Sequence, residues 1–499
     1  MFARATTGPA VRRAAHRVVL GAFEGSEVPA WLPTLVEDGL GGICLYGNNL
    51  TARPADVLAL AGQVGALSPA LVVTLDEEGG DVTRLHYATG SPFPGNAVLG
   101  RYDDPVATAD VSAAIGAELK AAGIWLDLAP DADINSNPHN PVIGTRSFGD
   151  TPEVVARHTA AWVGGLQAQG VAACVKHFPG HGDTEADSHL ALPRVDADLA
   201  TLRGRELVPF VAAIEAGAAT VMTSHLLLPA LDPTAPATLS RTILTGLLRE
   251  ELGFDGVIVT DALDMAGASA AIGIPAAAVT SLVAGADLLC LGPSLRGRGP
   301  GDILEVVEAI LAAVGSGHLS TERLLDAAAR VDALAATYGT GTVDVDPAVV
   351  ERGLTAGRKA AAAVLDAVGP LRPGTPRVVR IDTGANMAVG DATWGDLGLG
   401  PLERTVGVEY LPDVVALSAH DGPVVVVARA ASSDDRAWTW LRSLVEHRPD
   451  TLVVELGWPA PELAALPRVV RGWGASAAVS HAVGDAISSV LAASTGEEA

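Results

Sequence analysis

One short stretch of this chain is unusually rich in reactive side chains: Lys176 to His189, reading KHFPGHGDTEADSH. Its histidines and acids admit two chemistries. A metal centre is favoured by histidines on one helix face, by an H-x-H at a strand end or by a cysteine pair. His177 and His181 instead stand four apart among prolines and glycines, with no cysteine pair to help. Neither a metal nor any other cofactor is therefore expected. Acid–base work suits the stretch better. Asp187 and His189 lie two apart, so a carboxylate can orient an imidazole and hold its tautomer. An imidazole titrating near ~6.5 can give a proton and take one back around neutral pH.

Other reactive groups sit where apolar runs stop. Asp76-Glu77-Glu78-Gly79-Gly80 follows one run, and Asp127, Asp131 and Asp133 follow another. Lys176-His177, His225 and Asp261 each close a further one. A carboxylate such as Asp261 is costly at the end of a buried strand unless it faces a polar mouth. Asp264 reads as the start of a helix, and His181 as a hydrogen-bonding loop residue. Lys176 is one of only three lysines, with Lys120 and Lys359, in a chain that otherwise writes its cations as arginine. A compact ammonium does a different job from a planar guanidinium, which marks Lys176 as chosen for its chemistry.

The elements that must position these groups are a series of strands and helices. Apolar runs at Val18–Phe23, Gly42–Tyr46, Leu71–Leu75, Ile124–Leu128, Ala172–His177, Thr220–Ser224, Val257–Thr260 and Asp287–Leu291 read as eight strands. Stretches with helical spacing, such as Pro105–Ala122 and Pro152–Gln169, lie between them. Strands apolar on both faces, alternating with helices, imply a parallel sheet, and eight such units fit a (β/α)8 barrel. A barrel places its chemistry at the C-terminal strand ends, where these polar groups fall. The alternative of an open doubly wound sheet lacks a G-x-G-x-x-G after its first strand.

The segment Thr337–Asp346 (TYGTGTVDVD) breaks this alternation and reads as a linker between a barrel over 1–336 and a smaller, mostly parallel α/β domain over 347–499. In the second domain, helices are expected at Pro347–Leu365 and Ala475–Leu491. Strands are expected at Arg377–Ile381, Val424–Val427 and Leu452–Leu456. The formal charge is −25, which argues against nucleic acid or an anionic membrane as partner. Cys44, Cys174 and Cys290 lie in apolar runs and read as small buried hydrophobes rather than a disulfide framework. No stretch has the ~18 uninterrupted apolar residues of a membrane span, and the N-terminal stretch does not read as a secretory signal. The expectation is a cytoplasmic protein.

The Lys176–His189 stretch resembles the signature of glycoside hydrolase family 3, in its β-N-acetylhexosaminidase (NagZ-type) branch. DEEGGDVTRL from Asp76 resembles the branch's D-x-E-G-G-R-V-x-R, and Arg146-Ser147-Phe148-Gly149 its R-S-F-G element. MTSHLLLPALDP, ATLSRTILTGLLREELGFDGVIVTDALDM and AGADLLCLG resemble its later strands in order, so that the likeness spans roughly residues 16–335. The Asp-Ser-His loop separates this branch from its β-glucosidase relatives. The resemblance implies a TIM barrel with Asp261 as nucleophile, His189 as acid/base and Asp187 as its partner. It also implies Asp76, Arg84, Arg146, Lys176 and His177 as sugar-binding residues. Asp81 stands where the branch usually has arginine, which bears on the neighbouring subsite. The second domain resembles that of two-domain members only weakly.

The implied reaction is retaining hydrolysis of terminal N-acetyl-β-glucosaminides through a glycosyl-aspartate. The implied partner is a small-molecule glycoside, such as a muropeptide or a chitin-derived sugar. A neutral base leaves less negative charge near the acceptor, so phosphorolysis is an alternative, as is a β-glucosidase. A metal-dependent barrel hydrolase is a remoter one.

Overall fold

The computed structural model describes residues 8–51, 53–184, 192–293, 299–339, 344–383, 388–405 and 410–495. All eight expected barrel strands form: β1 Val19–Gly21, β2 Gly42–Cys44, β3 Val72–Leu75, β4 Leu126–Asp127, β5 Ala172–Phe178, β6 Thr220–Thr223, β7 Val257–Val259 and β8 Leu289–Cys290. Every residue in them is buried, as strands packed on both faces must be. Their order is β7-β6-β5-β4-β3-β2-β1-β8, each neighbouring pair parallel. A parallel bridge between Val259 and Leu288 joins the two ends and closes the barrel. Leu20, Cys44, Val72, Leu126, Cys174, Met222, Val257 and Cys290 belong to one apolar cluster, whereas their strand neighbours Val19, Ile43, Val73 and Val221 pack in the larger cluster with the helices. The cysteines are buried and free, as their apolar surroundings suggested.

A second parallel sheet follows: β9 Arg377–Ile381, β10 Leu402–Thr405, β11 Val424–Ala428, β12 Leu452–Glu455 and β13 Val469–Arg471, in the order β10-β9-β11-β12-β13. The three inner strands were expected, but β10 and β13 were not. Both lie at sheet edges, where a strand may stay short and polar, so neither carries an apolar run. Helix Pro347–Ala363 packs on barrel helix Pro105–Ala121 so closely that a Cβ on Gly353 would stand 2.4 Å from that of Ala114. Helix Thr321–Tyr338 precedes it, and Asp346 caps Pro347–Ala363 through the Ala348 N–H.

The segment after β3 joins the two sheets. Asp81 accepts the Ala475 N–H at 2.6 Å, Tyr87 accepts the Asp391 N–H at 2.7 Å, and Arg84 donates to the Ala388 carbonyl at 2.8 Å. Arg101 lies 4.4 Å over the Trp473 ring. Among the described residues no helix is long and apolar enough to cross a membrane.

Candidate active site

The C-terminal ends of the barrel strands enclose a cavity of about 200 Å³. Asp76 enters it from the end of β3, Lys176 and His177 from β5, and Asp261 from just beyond β7. Arg84 and Arg146 reach it from the connections after β3 and β4. Four of the six are buried, and Asp76 and Asp261 are half-buried. All six described residues singled out in the sequence therefore share one space. Asp187 and His189 lie outside the described residues.

Beneath the cavity, opposite charges neutralise one another. Lys176 Nζ stands 2.7 Å from both Asp76 Oδ1 and Glu78 Oε1. Arg146 grips Glu78 with two parallel bonds, Nε–Oε2 at 2.9 Å and Nη2–Oε1 at 2.7 Å. A paired geometry of this kind gives direction as well as energy. Burial would raise the Glu78 pKa, but Arg146 and then Lys176 outweigh it and hold the carboxyl well below the usual range. Burial works against the Lys176 ammonium in the same way, and Asp76 and Glu78 overcome it, leaving its pKa above the ordinary lysine value. Lys176 thus serves as a fixed cation and not as a base. Arg146 also donates to the Val142 carbonyl at 3.2 Å, so most of its donors are occupied by protein.

Asp133 organises the next layer. It accepts the His181 N–H at 2.6 Å and lies 2.7 Å from His177 Nδ1. That contact assigns the proton to Nδ1 and leaves Nε2 as an acceptor, 3.5 Å from Arg146 Nη2. Burial raises the Asp133 pKa, but the His177 ring and the bonds it receives bring it below normal. Its neighbour Asp131 goes the other way, pushed well up by burial and by Asp133. Gly182 lets the loop after β5 pack against this layer, since a Cβ there would fall 1.6 Å from the Ile134 carbonyl. His181 is a loop hydrogen-bonder, as expected, with Nδ1 2.9 Å from Thr184 Oγ1, and burial lowers its pKa to about 4.

Asp131, Asp133 and His177 form the one group of three among the described residues that could hold a metal ion. Their chemistry fits an ion poorly. His177 Nδ1 and the His181 N–H already satisfy Asp133, and the Arg146 guanidinium stands 3.4 Å from Asp131. The positive charge that a metal would bring is already in place.

Asp261 accepts the Ala262 N–H at 2.7 Å, and His225 braces the same turn through the Ala262 carbonyl at 3.0 Å and Thr238 at 2.9 Å. His225 is thus a brace behind the site, not one of the residues lining the cavity. Asp264 corrects an expectation. The helix after it runs Ala266–Ser269 with Met265 at the cap, and Asp264 lines the cavity instead. The sequence reading also missed Tyr46, whose hydroxyl lies 3.1 Å from Cys290 Sγ, and Ala388 of the second domain; both line the cavity. No local signal marks Ala388, because its part is a backbone carbonyl that fixes Arg84 beside Asp76, at 3.6 Å. Asp81, expected to bear on a subsite, uses its carboxylate on Ala475 and on Thr145 at 2.8 Å.

Chemically, the site offers the half-buried carboxylate of Asp261 facing a small polar space in which Asp76 is tied to Lys176 and Arg84. Residues 28–334 match the N-terminal domain of glycosyl hydrolase family 3. The β-hexosaminidase A of Pseudoalteromonas piscicida is 39% identical over 315 residues, covering 58% of this chain and 52% of that protein. This chain thus spans about half the length of that relative. The β-hexosaminidase of Methylococcus capsulatus is 37% identical over 56% of this chain and 84% of its own. A solved family 3 β-N-acetylglucosaminidase from Paenibacillus sp. strain FPU-7 covers 98% of this chain and 97% of its own, at 32% identity and a TM-score of 0.84.

Proposed function

The chain belongs to glycosyl hydrolase family 3, and from that premise we propose that it is a retaining β-N-acetylhexosaminidase acting on terminal N-acetyl-β-glucosaminides. The observation that carries the proposal is the single cavity shared by Asp261 and the sugar-binding candidates Asp76, Arg84, Arg146, Lys176 and His177. Asp76, oriented by Lys176 and Arg84, accepts sugar hydroxyls. An Asp261 oxygen attacks the anomeric carbon as the bond to the leaving oxygen breaks, and His189, oriented by Asp187, gives that oxygen its proton. Water then attacks the same carbon and returns its proton to His189. Asp261 leaves as carboxylate, and configuration is retained. Relatives named β-hexosaminidase and a neighbour named β-N-acetylglucosaminidase support this choice of sugar. We read residues 1–336 as the catalytic domain, 337–346 as a linker, and 347–499 as a domain that supplies walls and no acid or base.

Asp261→Asn tests the reading. On a 4-nitrophenyl N-acetyl-β-glucosaminide we expect kcat to fall by about 10⁴-fold or more with the circular dichroism spectrum unchanged. Near-normal turnover would remove Asp261 from the mechanism. Assays with and without phosphate separate hydrolysis from phosphorolysis, and insensitivity to chelators is expected.

A further inference from the structure

Asp76, Glu77 and Glu78 follow β3 in succession. Asp76 and Glu78 share Lys176, each at 2.7 Å, and so belong to the charged floor of the sugar pocket. Glu77 stands between them, is 1% exposed and does not line that pocket. Its carboxylate closes on its own chain instead: Oε2 accepts the Arg84 N–H at 2.8 Å and the Leu85 N–H at 2.9 Å. A buried carboxylate is costly, and the bonds it receives must offset that cost.

Those two N–H groups belong to the peptide planes on either side of the Arg84 Cα. Each plane is rigid, so fixing both fixes the direction in which the Arg84 side chain leaves the backbone. The guanidinium at its far end donates to the Ala388 carbonyl at 2.8 Å and stands 3.6 Å from Asp76. Arg84 is thus held at its root by Glu77 and at its tip by the second domain. Glu77 is itself anchored, since its N–H donates to Asp127 Oδ1 at 3.0 Å, at the end of β4. Thr83 Oγ1 accepts the His86 N–H at 3.1 Å, and the His86 ring meets Glu118 of helix Pro105–Ala121 at 3.0 Å. Burial raises the Glu77 pKa, against the pull of the His86 ring, the Thr83 hydroxyl and the two N–H groups. Burial pushes Asp127 well up, which leaves Glu77 the better carboxylate of the two.

We propose that Glu77 is a positioning residue of the active site: by binding the N–H groups on both sides of the Arg84 Cα it sets where the guanidinium meets the sugar, and it acts on the substrate through Arg84. The proposal rests on the glycosidase reading above. A charged acceptor shared by two successive N–H groups gives direction as well as strength, and here the direction is passed to the next side chain.

The test is a double-mutant cycle in the full-length enzyme with 4-nitrophenyl N-acetyl-β-glucosaminide. Glu77→Gln keeps the reach of the side chain and makes the acceptor neutral; Glu77→Asp keeps the charge and draws it back by one methylene. KM should rise about 3–10-fold in the first and about 10–100-fold in the second. With kcat within about threefold of wild type, the loss is one of binding common to substrate and transition state. Arg84→Ala should lower kcat/KM by about 100-fold. Adding either Glu77 substitution to it should lower kcat/KM by a further factor of about two or less, because the partner through which Glu77 acts is gone. Effects that multiply, a KM unmoved in both Glu77 variants, a kcat that falls while KM holds, or an Arg84→Ala enzyme equal to wild type each overturns the positioning role and leaves the glycosidase standing. Should circular dichroism show Glu77→Asp unfolded, the cycle with Glu77→Gln decides by the same criteria. A wild-type enzyme inactive on the glycoside overturns the glycosidase, and the positioning role with it.

Discussion

Glu78 and Glu455 are both buried near the C-terminal ends of parallel strands, in two different sheets. Glu78 lies three residues beyond β3 and Glu455 is the last residue of β12, with 2% of Glu78 and 1% of Glu455 exposed. Their ionisation nevertheless moves in opposite directions. Glu78 meets Arg146 and Lys176, and its pKa falls well below normal. Glu455 meets three backbone N–H groups, of Ala430, Gly457 and Ala431 at 2.7, 2.7 and 3.3 Å, and burial still drives it up to about 7. Burial alone therefore says little about charge; the kind of partner decides. The barrel mouth is preorganised by full positive charges in direct contact, the Glu455 carboxyl chiefly by amide dipoles, with Arg429 the weakest of the pulls on it. Only the first holds its carboxyl well below the usual range.

The largest expected effect that would break this comparison is on Glu78. Glu78→Ala leaves Arg146 and Lys176 buried without their shared acid, and should cost about 3–5 kcal/mol of stability in urea denaturation. A cost below ~1 kcal/mol, the value of an exposed pair, would mean that water reaches the cluster.

A smaller effect is expected where the two regions meet. Asp81→Ala strips partners from the Ala475 N–H and the Thr145 hydroxyl. It should cost about 1–3 kcal/mol and increase hydrogen exchange at Ala475. Unchanged exchange there would show that Asp81 does not tie the second domain to the barrel.

The smallest effect is a difference in pH dependence. The folded pKa of Glu78 lies below its unfolded value near 4.5, so its stabilisation is present above about pH 4.5 and is lost as the pH falls further. The folded pKa of Glu455 is raised to about 7, so its contribution is complete below about pH 4.5 and is lost as the pH rises through 7. Thermal unfolding of Glu455→Gln should therefore show a flatter Tm profile than wild type between pH 4.5 and 7. Equal slopes in the two proteins would mean that the backbone donors keep Glu455 ionised throughout.

Much of the site is legible in the amino-acid sequence. The eight barrel strands are apolar on both faces, a pattern that period and length alone reveal, and the acids and bases that close them stand out against that background. Lys176 and Asp261 are legible because each is an exception to its surroundings. Edge strands β10 and β13 are not, because a strand bonded on one side needs no continuous apolar run. Asp264 misleads for a related reason: aspartate before a helix suits a cap and a cavity wall equally well.

The sequence by itself determined which groups were available: the alternation that makes a barrel, and the aspartates, histidines and lone lysine at its strand ends. Tertiary structure decided what each group does. Arg146, expected to bind sugar, lines the cavity while most of its donors serve Glu78, which is 68 residues away, and the Val142 carbonyl. Arg84 is held by a carbonyl 304 residues away, in the other domain. Asp131 and Asp133 are two residues apart and identical in type, yet their pKa values shift in opposite directions, because burial and the Asp133 charge prevail at Asp131, whereas His177 at 2.7 Å and the His181 N–H outweigh burial at Asp133. Residue type sets the charge a group can carry, but its pairing depends on distances of a few ångströms between distant segments, which only the folded chain defines.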